Sequence, residues 1–225
     1  MDLANFFNDE LPIIHRKPSA FAIHELPGLW RIHLQLGSVT LYSSFYTQHD
    51  QACLAWGIIS AGIFTAAQFL PVDWLTQAVF ASVLTVLGIV LMVYLTHHFA
   101  AIEHVRWILY QWAGLMLVGI LLTNLGLLLS WGNVLARICP IWLGIIGVAY
   151  FLTGLGMRSR AMFLVSAIHI LAIGVLPHVG IWQPITTGAV ISLSALMLAE
   201  LQWDSNEVCG YQAQPSAGYD YGLHQ

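Results

Sequence analysis

Ten histidines in 225 residues are the first feature that could carry chemistry, and three of them cluster: His97-His98, then Glu103-His104. Neutral imidazoles are good ligands for zinc or iron, and His24, His33 and His49 could complete a shell around that fragment. Membrane oxygenases built on histidine boxes need several such boxes, and the chain offers one. The plainer reading is a polar interfacial loop whose imidazoles titrate near neutrality, so that its charge follows pH. His97, His98, His104 and the more deeply placed His169 are the candidate pH-sensing groups. No cofactor is expected, because His169 has no histidine opposite it in another apolar segment to complete a haem site. Cys53, Cys139 and Cys209 form no CxxC and no disulfide framework. No Ser-His-Asp set, phosphate-binding loop or dinucleotide fingerprint is present, so no catalytic residue is assigned.

A second group of polar residues lies inside apolar runs. Gln68, Asn124 and Arg137 could line a site for a small neutral or anionic solute. The structural alternative is that Gln68 and Asn124 hydrogen-bond neighbouring helices, each bond contributing about 1 kcal/mol. Arg137, about one turn inside its apolar segment, could pair with Asp73 in the adjacent turn or reach the interface. Acidic residues are scarce: from Asp73 to Glu200 the only one between is Glu103. Cation-coupled carriers place a carboxylate near the bilayer midplane, so a cation-driven pump is disfavoured.

The elements that must position these residues follow from composition. The chain is 58% hydrophobic and 8% charged, with mean hydropathy +0.75, whereas soluble domains carry about 25% charged residues. With seven Lys+Arg against eleven Asp+Glu, the net charge of −4 argues against nucleic-acid binding. The expected fold is therefore an all-α integral membrane protein, with the lipid bilayer as its first partner. A crossing needs about 20 apolar residues, and six such spans are read at about 52–70, 74–96, 107–129, 134–156, 161–176 and 184–201. Pro71 to Asp73, Ser130 to Asn133 and Pro177 to Gln183 are turns, making three helical hairpins. Pro184 suits the first turn of the last helix, where its missing N–H costs nothing.

Residues 1–50 form an N-terminal cytoplasmic or interfacial region, 51–201 the six-span domain, and 202–225 a polar tail expected to be disordered. Residues 1–30 hold no apolar stretch of the signal-peptide kind. Within about 29–46, Trp30, Ile32, Leu34 and Leu36 alternate with Arg31, His33 and Gln35, the period of a strand. Gly37-Ser38 is suited to a tight turn, pairing Leu36 with Val39, Leu34 with Leu41 and Trp30 with Phe45 in a short amphipathic β-hairpin. Arg16, Lys17, Arg31, Arg106, Arg158 and Arg160 all fall on one side of the six-span topology, which makes that side and both termini cytoplasmic, Cys209 included. An internal repeat at an offset of about 56 residues maps Trp56 to Trp112, Gln68 to Asn124, Leu87-Gly88-Ile89 to Leu143-Gly144-Ile145, and Tyr94 to Tyr150. Close helix contacts are expected at Gly57, Gly62, Gly88, Gly114, Gly119, Gly144 and Gly147.

The run from Gly57-Ile58 through Gly62-Ile63 to Pro71 and Leu87-Gly88-Ile89, echoed by Gly114, Gly119-Ile120 and Leu143-Gly144-Ile145, resembles the short acid-resistance membrane proteins (HdeD-like). The resemblance covers about 52–201. It implies a role in membrane stress tolerance and carries over no catalytic residue. Three functions are expected in descending order: a non-enzymatic accessory protein for stress tolerance or assembly of other membrane proteins, an uncoupled channel for a small solute using Gln68, Asn124 and Arg137, and a metal-dependent membrane enzyme on His97, His98 and His104. A bacterial inner membrane, or one of thylakoid type, is the expected location.

Overall fold

The computed structural model describes residue 7 and residues 12–17, 28–36, 39–102 and 104–204. His24, the Gly37-Ser38 turn, Glu103 and Cys209 lie outside the described residues. Helix dominates: α1 Gln48–Phe69, α2 Trp74–Ile102, α3 Arg106–Leu128, the single turn α4 Gly132–Leu135, α5 Ile138–Met157, α6 Arg160–Val179 and α7 Gln183–Glu200. Two small antiparallel sheets flank them, β1 Ile14–Arg16 with β4 Leu201–Trp203, and β2 Trp30–Leu36 with β3 Val39–Tyr46.

Five helical stretches are long and apolar enough to cross a membrane, the last being the 41 residues Arg160–Glu200. That last stretch is broken by a 3₁₀ turn at Gly180–Trp182, with Gly180 at a φ of 55°. Glycine reaches this left-handed region without the Cβ clash that other residues suffer. Its halves, α6 and α7, run back antiparallel, because Asp204 just beyond α7 accepts a hydrogen bond from Ala161 N at the start of α6. Along the bundle many apolar side chains face outward. Leu128 and Leu171 are each 72% exposed, and only 17–50% of each hydrophobic window is buried. Water would penalise so large an apolar surface, whereas hydrocarbon does not.

Several expected boundaries shift, each for a local reason. Helix α2 runs on through His97 and His98 to Ile102, since no proline or glycine interrupts 96–102. Helix α5 starts at Ile138 rather than near 134, because Pro140 cannot supply the N–H that the Ala136 carbonyl would need. Arg137 therefore precedes α5 instead of lying one turn inside it. Pro177 ends up within the last turn of α6, not in the turn after it. Pro184 occupies the first turn of α7, as its chemistry suggests. The tail remains structured further than composition indicates: Gln202 and Trp203 are in β4, and Asp204 is buried. In the hairpin, Leu36 faces Val39 and Gln35 faces Thr40, but a bulge then shifts the register. Leu41 is the extra residue, so Leu34 meets Tyr42 and Trp30 meets Tyr46.

Five helices close a ring, α1 against α2, α2 against α3, α3 against α5, α5 against α7 and α7 against α1, with α6 outside on α5 and α7. Glycines permit these approaches unevenly. A Cβ on Gly88 would lie 3.0 Å from the Trp56 ring and one on Gly119 2.7 Å from Trp142, whereas Gly62 and Gly114 face open space and Gly144 has only a loose neighbour. Two approaches reach 2.5 Å: Gly156 against the Trp107 ring, and Gly188 against Phe64 Cβ, an atom fixed to the α1 backbone. Gly188→Leu should therefore lower stability by about 1–3 kcal/mol through overpacking. Gly62→Ala should be neutral or raise stability by up to ~1 kcal/mol. Thermal unfolding in detergent, followed by circular dichroism, checks both.

Candidate functional site

The residues singled out in the sequence do not converge. Gln68 Oε1 accepts from Ile185 N at 3.4 Å, tying α1 to the start of α7. Asn124 Nδ2 donates to Ser82 Oγ and to Ile120 O, each at 2.8 Å, tying α3 to α2. Arg137 is exposed. Asp73 caps α2, accepting from Thr76 N at 3.0 Å and Thr76 Oγ1 at 2.6 Å. The Thr76 hydroxyl and amide hold its carboxyl below the ordinary carboxylate value, and no Asp73–Arg137 ion pair is present among the described residues. His97 and His98 are exposed with ring centroids 6.4 Å apart, and His104 is exposed beyond α2. No group of three His, Cys, Asp or Glu among the described residues is gathered closely enough to hold a metal. His169 is fully buried; Nδ1 donates to Val165 O at 2.8 Å, leaving Nε2 without a donor.

The ring encloses a cavity of about 220 Å³ that is partly open to the surface. On α1 its lining runs from His49 and Ala52 through Trp56 and Ser60 to Ala67, a stripe of helical spacing. Matching stripes come from α2 (Trp74 to Ala100), α3 (Ile108 to Leu127) and α5 (Ile138 to Met157), with Ile191 and Ala195 from α7. No Asp, Glu, Lys or Arg lines it. Threonines on adjacent helices satisfy two of its indoles. Trp112 Nε1 donates to Thr153 Oγ1 at 2.8 Å and Trp142 Nε1 to Thr123 Oγ1 at 3.3 Å. The periodic Trp, Thr and Ala positions were visible in the sequence, but their convergence on one space was not.

Below the His49 end lies a polar cluster that sequence reasoning missed. Thr47 and Asp50 form a capping box on α1. Lys17, almost fully buried, places Nζ 2.7 Å from Asp50 Oδ2, donates to Ala199 O at 2.5 Å and Phe45 O at 3.3 Å, and lies over the Phe45 and Tyr46 rings. Asp204 does the same for α6, accepting from Ser159 Oγ, Arg160 N, Arg160 Nε and Ala161 N at 2.8–3.1 Å. Tyr42 and Tyr46 donate to the two Glu200 oxygens at 2.6 and 2.5 Å. Burial, then the Glu200 hydrogen bond, hold the Tyr46 phenol far above its ordinary value of 10.0.

An apolar-surfaced bundle of this kind, with spans long enough to cross a bilayer and an uncharged interior space, defines an integral membrane protein. Comparison with protein-family models, curated proteins and solved structures finds no match for this chain.

Lys17→Ala should cost roughly 3–5 kcal/mol, since it strands the Asp50 carboxylate in a buried site; unfolding in detergent against wild type measures it. A pH dependence follows from Tyr46. The fold keeps this phenol protonated while the unfolded chain ionises near 10.0, so its contribution is intact below that pH and declines as pH rises past it. Tyr46→Phe should shallow the alkaline loss of stability, read from melting temperatures at increasing pH.

Proposed function

We propose that the chain is a non-enzymatic membrane protein that crosses the bilayer six times, as the hairpins α1–α2, α3–α5 and α6–α7, and serves as an accessory factor in assembly or stress tolerance. The observation that carries this reading is the polar cluster: both sequence flanks, at Lys17 and Asp204, are tied by buried charge to one end of the bundle. That end becomes a rigid platform continuous with the β2–β3 hairpin, whose residues Trp30, Leu34 and Leu36 are uncovered. Such a surface suits docking.

The orientation rests on charge. Arg16, Lys17, Arg31, Arg106, Arg158 and Arg160 belong to the platform end, which marks it as cytoplasmic. Exposed Trp74, Trp131 and Trp182 suit the opposite interface. Trp56 and Trp112, paired by the 56-residue offset, both line the cavity, in keeping with an internal duplication, although Tyr94 is exposed where Tyr150 is buried. A solute channel is less well supported, because Gln68, Asn124 and Arg137 lie outside the cavity lining.

Extracted from its own membrane in mild detergent, the protein should migrate in a complex larger than itself, with partners identifiable by mass spectrometry. Migration as a lone monomer or homo-oligomer would overturn the accessory reading. For the topology, Asn133→Cys should react with an impermeant maleimide on intact cells and Arg106→Cys only after permeabilisation.

A further inference from the structure

We propose that the cavity inside the α1–α2–α3–α5–α7 ring is a binding site for one linear hydrocarbon chain, the tail of a membrane amphiphile. The proposal goes beyond the accessory role and does not depend on it. Its basis is the shape and chemistry of the space. From His49 to Ala67 on α1, 18 residues at 1.5 Å each, the lining extends about 27 Å, close to the roughly 30 Å of a bilayer's hydrocarbon core. Spread over that length, 220 Å³ averages only about 8 Å² for the centre of a filling atom. That is room for a single file of methylene groups and too little for a fused ring system or two chains side by side.

The lining matches such a guest along most of its length. It carries no ionised carboxylate, ammonium or guanidinium to reward a polar solute. Its threonine hydroxyls are turned back onto their own helices: Thr85 donates to Ala81 O, Thr96 to Met92 O, Thr123 to Gly119 O and Thr153 to Ala149 O. The Trp112 and Trp142 indoles have their N–H groups engaged by threonines, and most of the remaining wall is apolar ring and methyl surface, with Trp56 Nε1, unpartnered among the described residues, and the Ser60 and Tyr150 hydroxyls as polar exceptions. A cavity of this kind excludes water and accepts hydrocarbon. The partial opening gives the chain a route in from the bilayer.

The two ends differ, and this sets the direction of the guest. At the His49 end the Trp203 ring lies 5.5 Å away and the Lys17–Asp50 pair closes the space below. At the opposite end stand exposed Trp74 and the Gln77 amide, whose Nε2 donates only weakly, at 3.4 Å to Leu70 O and 3.5 Å to Val72 O. The chain terminus therefore points toward His49, and the polar head emerges between Trp74 and Gln77.

The test uses the full-length protein in mild detergent and a doxyl-labelled stearic acid, which quenches nearby indoles. Trp56, Trp112 and Trp142 should show saturable quenching, and unlabelled stearic acid should reverse it while a sterol hemisuccinate should not. Ser60→Phe and Ala81→Phe, which project a ring into the cavity, should each weaken the saturable phase roughly tenfold or more. Quenching that only rises linearly with added probe, or that the sterol reverses equally well, overturns the proposal. So does unchanged saturable binding in filled variants that melt as wild type does. Mass spectrometry of organic extracts from wild type and Ser60→Phe separates the sources: an acyl lipid or an isoprenoid enriched in wild type identifies the tail, and equal recovery of every lipid from both counts against the site.

Discussion

One buried ammonium group organises this molecule. Lys17 Nζ lies between the carboxylate of Asp50, in the first turn of α1, and the carbonyl of Ala199, in the last turn of α7. A helix N-terminus favours negative charge and a C-terminus positive charge, so a single cation complements the ends of two antiparallel helices at once. Removing an ion from water costs several kcal/mol, which a pair recovers only with close geometry and further hydrogen bonds. Here Phe45 O and two aromatic faces supply the rest of the shell. The consequence is long-ranged: α1 and α7 are the pair that closes the five-helix ring, so the cavity depends on this contact.

Asp204 repeats the device on the neighbouring helix. Its carboxylate receives the orphan amides of Arg160 and Ala161, adding to the cap in which Ser159 Oγ already accepts from Met162 N. The two sequence flanks thus supply charges that helix ends in a low-dielectric setting require. Further along the bundle the forces change. With hydrocarbon outside, apolar side chains gain little by turning inward, and packing is set by glycine approaches and by interhelical bonds such as Trp112–Thr153 and Asn124–Ser82. A bundle held at such points can retain an apolar internal space that hydrophobic collapse in water would remove.

That shift in forces explains the fate of the polar residues that stood out in the sequence. Gln68, Asn124 and the Nδ1 of His169 each bond within the bundle, to Ile185 N, to Ser82 and Ile120, and to Val165. A polar atom at membrane depth must find a partner or bear a large desolvation cost, so its presence alone does not separate a site from a fastening. The cavity lining gave a weaker sequence signal, because Ala, Thr and Trp at helical spacing are also what an ordinary packed interface uses.

Composition and hydropathy by themselves determined the membrane class, the helical segments and the alternating strand at Trp30 to Leu36, because burial in lipid and backbone periodicity act on neighbouring residues. Pro184 was equally legible, its effect being confined to its own turn. Tertiary structure alone decided the bulge at Leu41, the β1–β4 pairing and the partnership of Lys17 with Asp50 and Ala199, the last separated by 182 residues. It also decided that stripes on α1, α2, α3 and α5 face one shared space. Periodicity shows that a helix has a face, but which faces meet depends on the rotation of each helix about its axis, and distant contacts set that rotation.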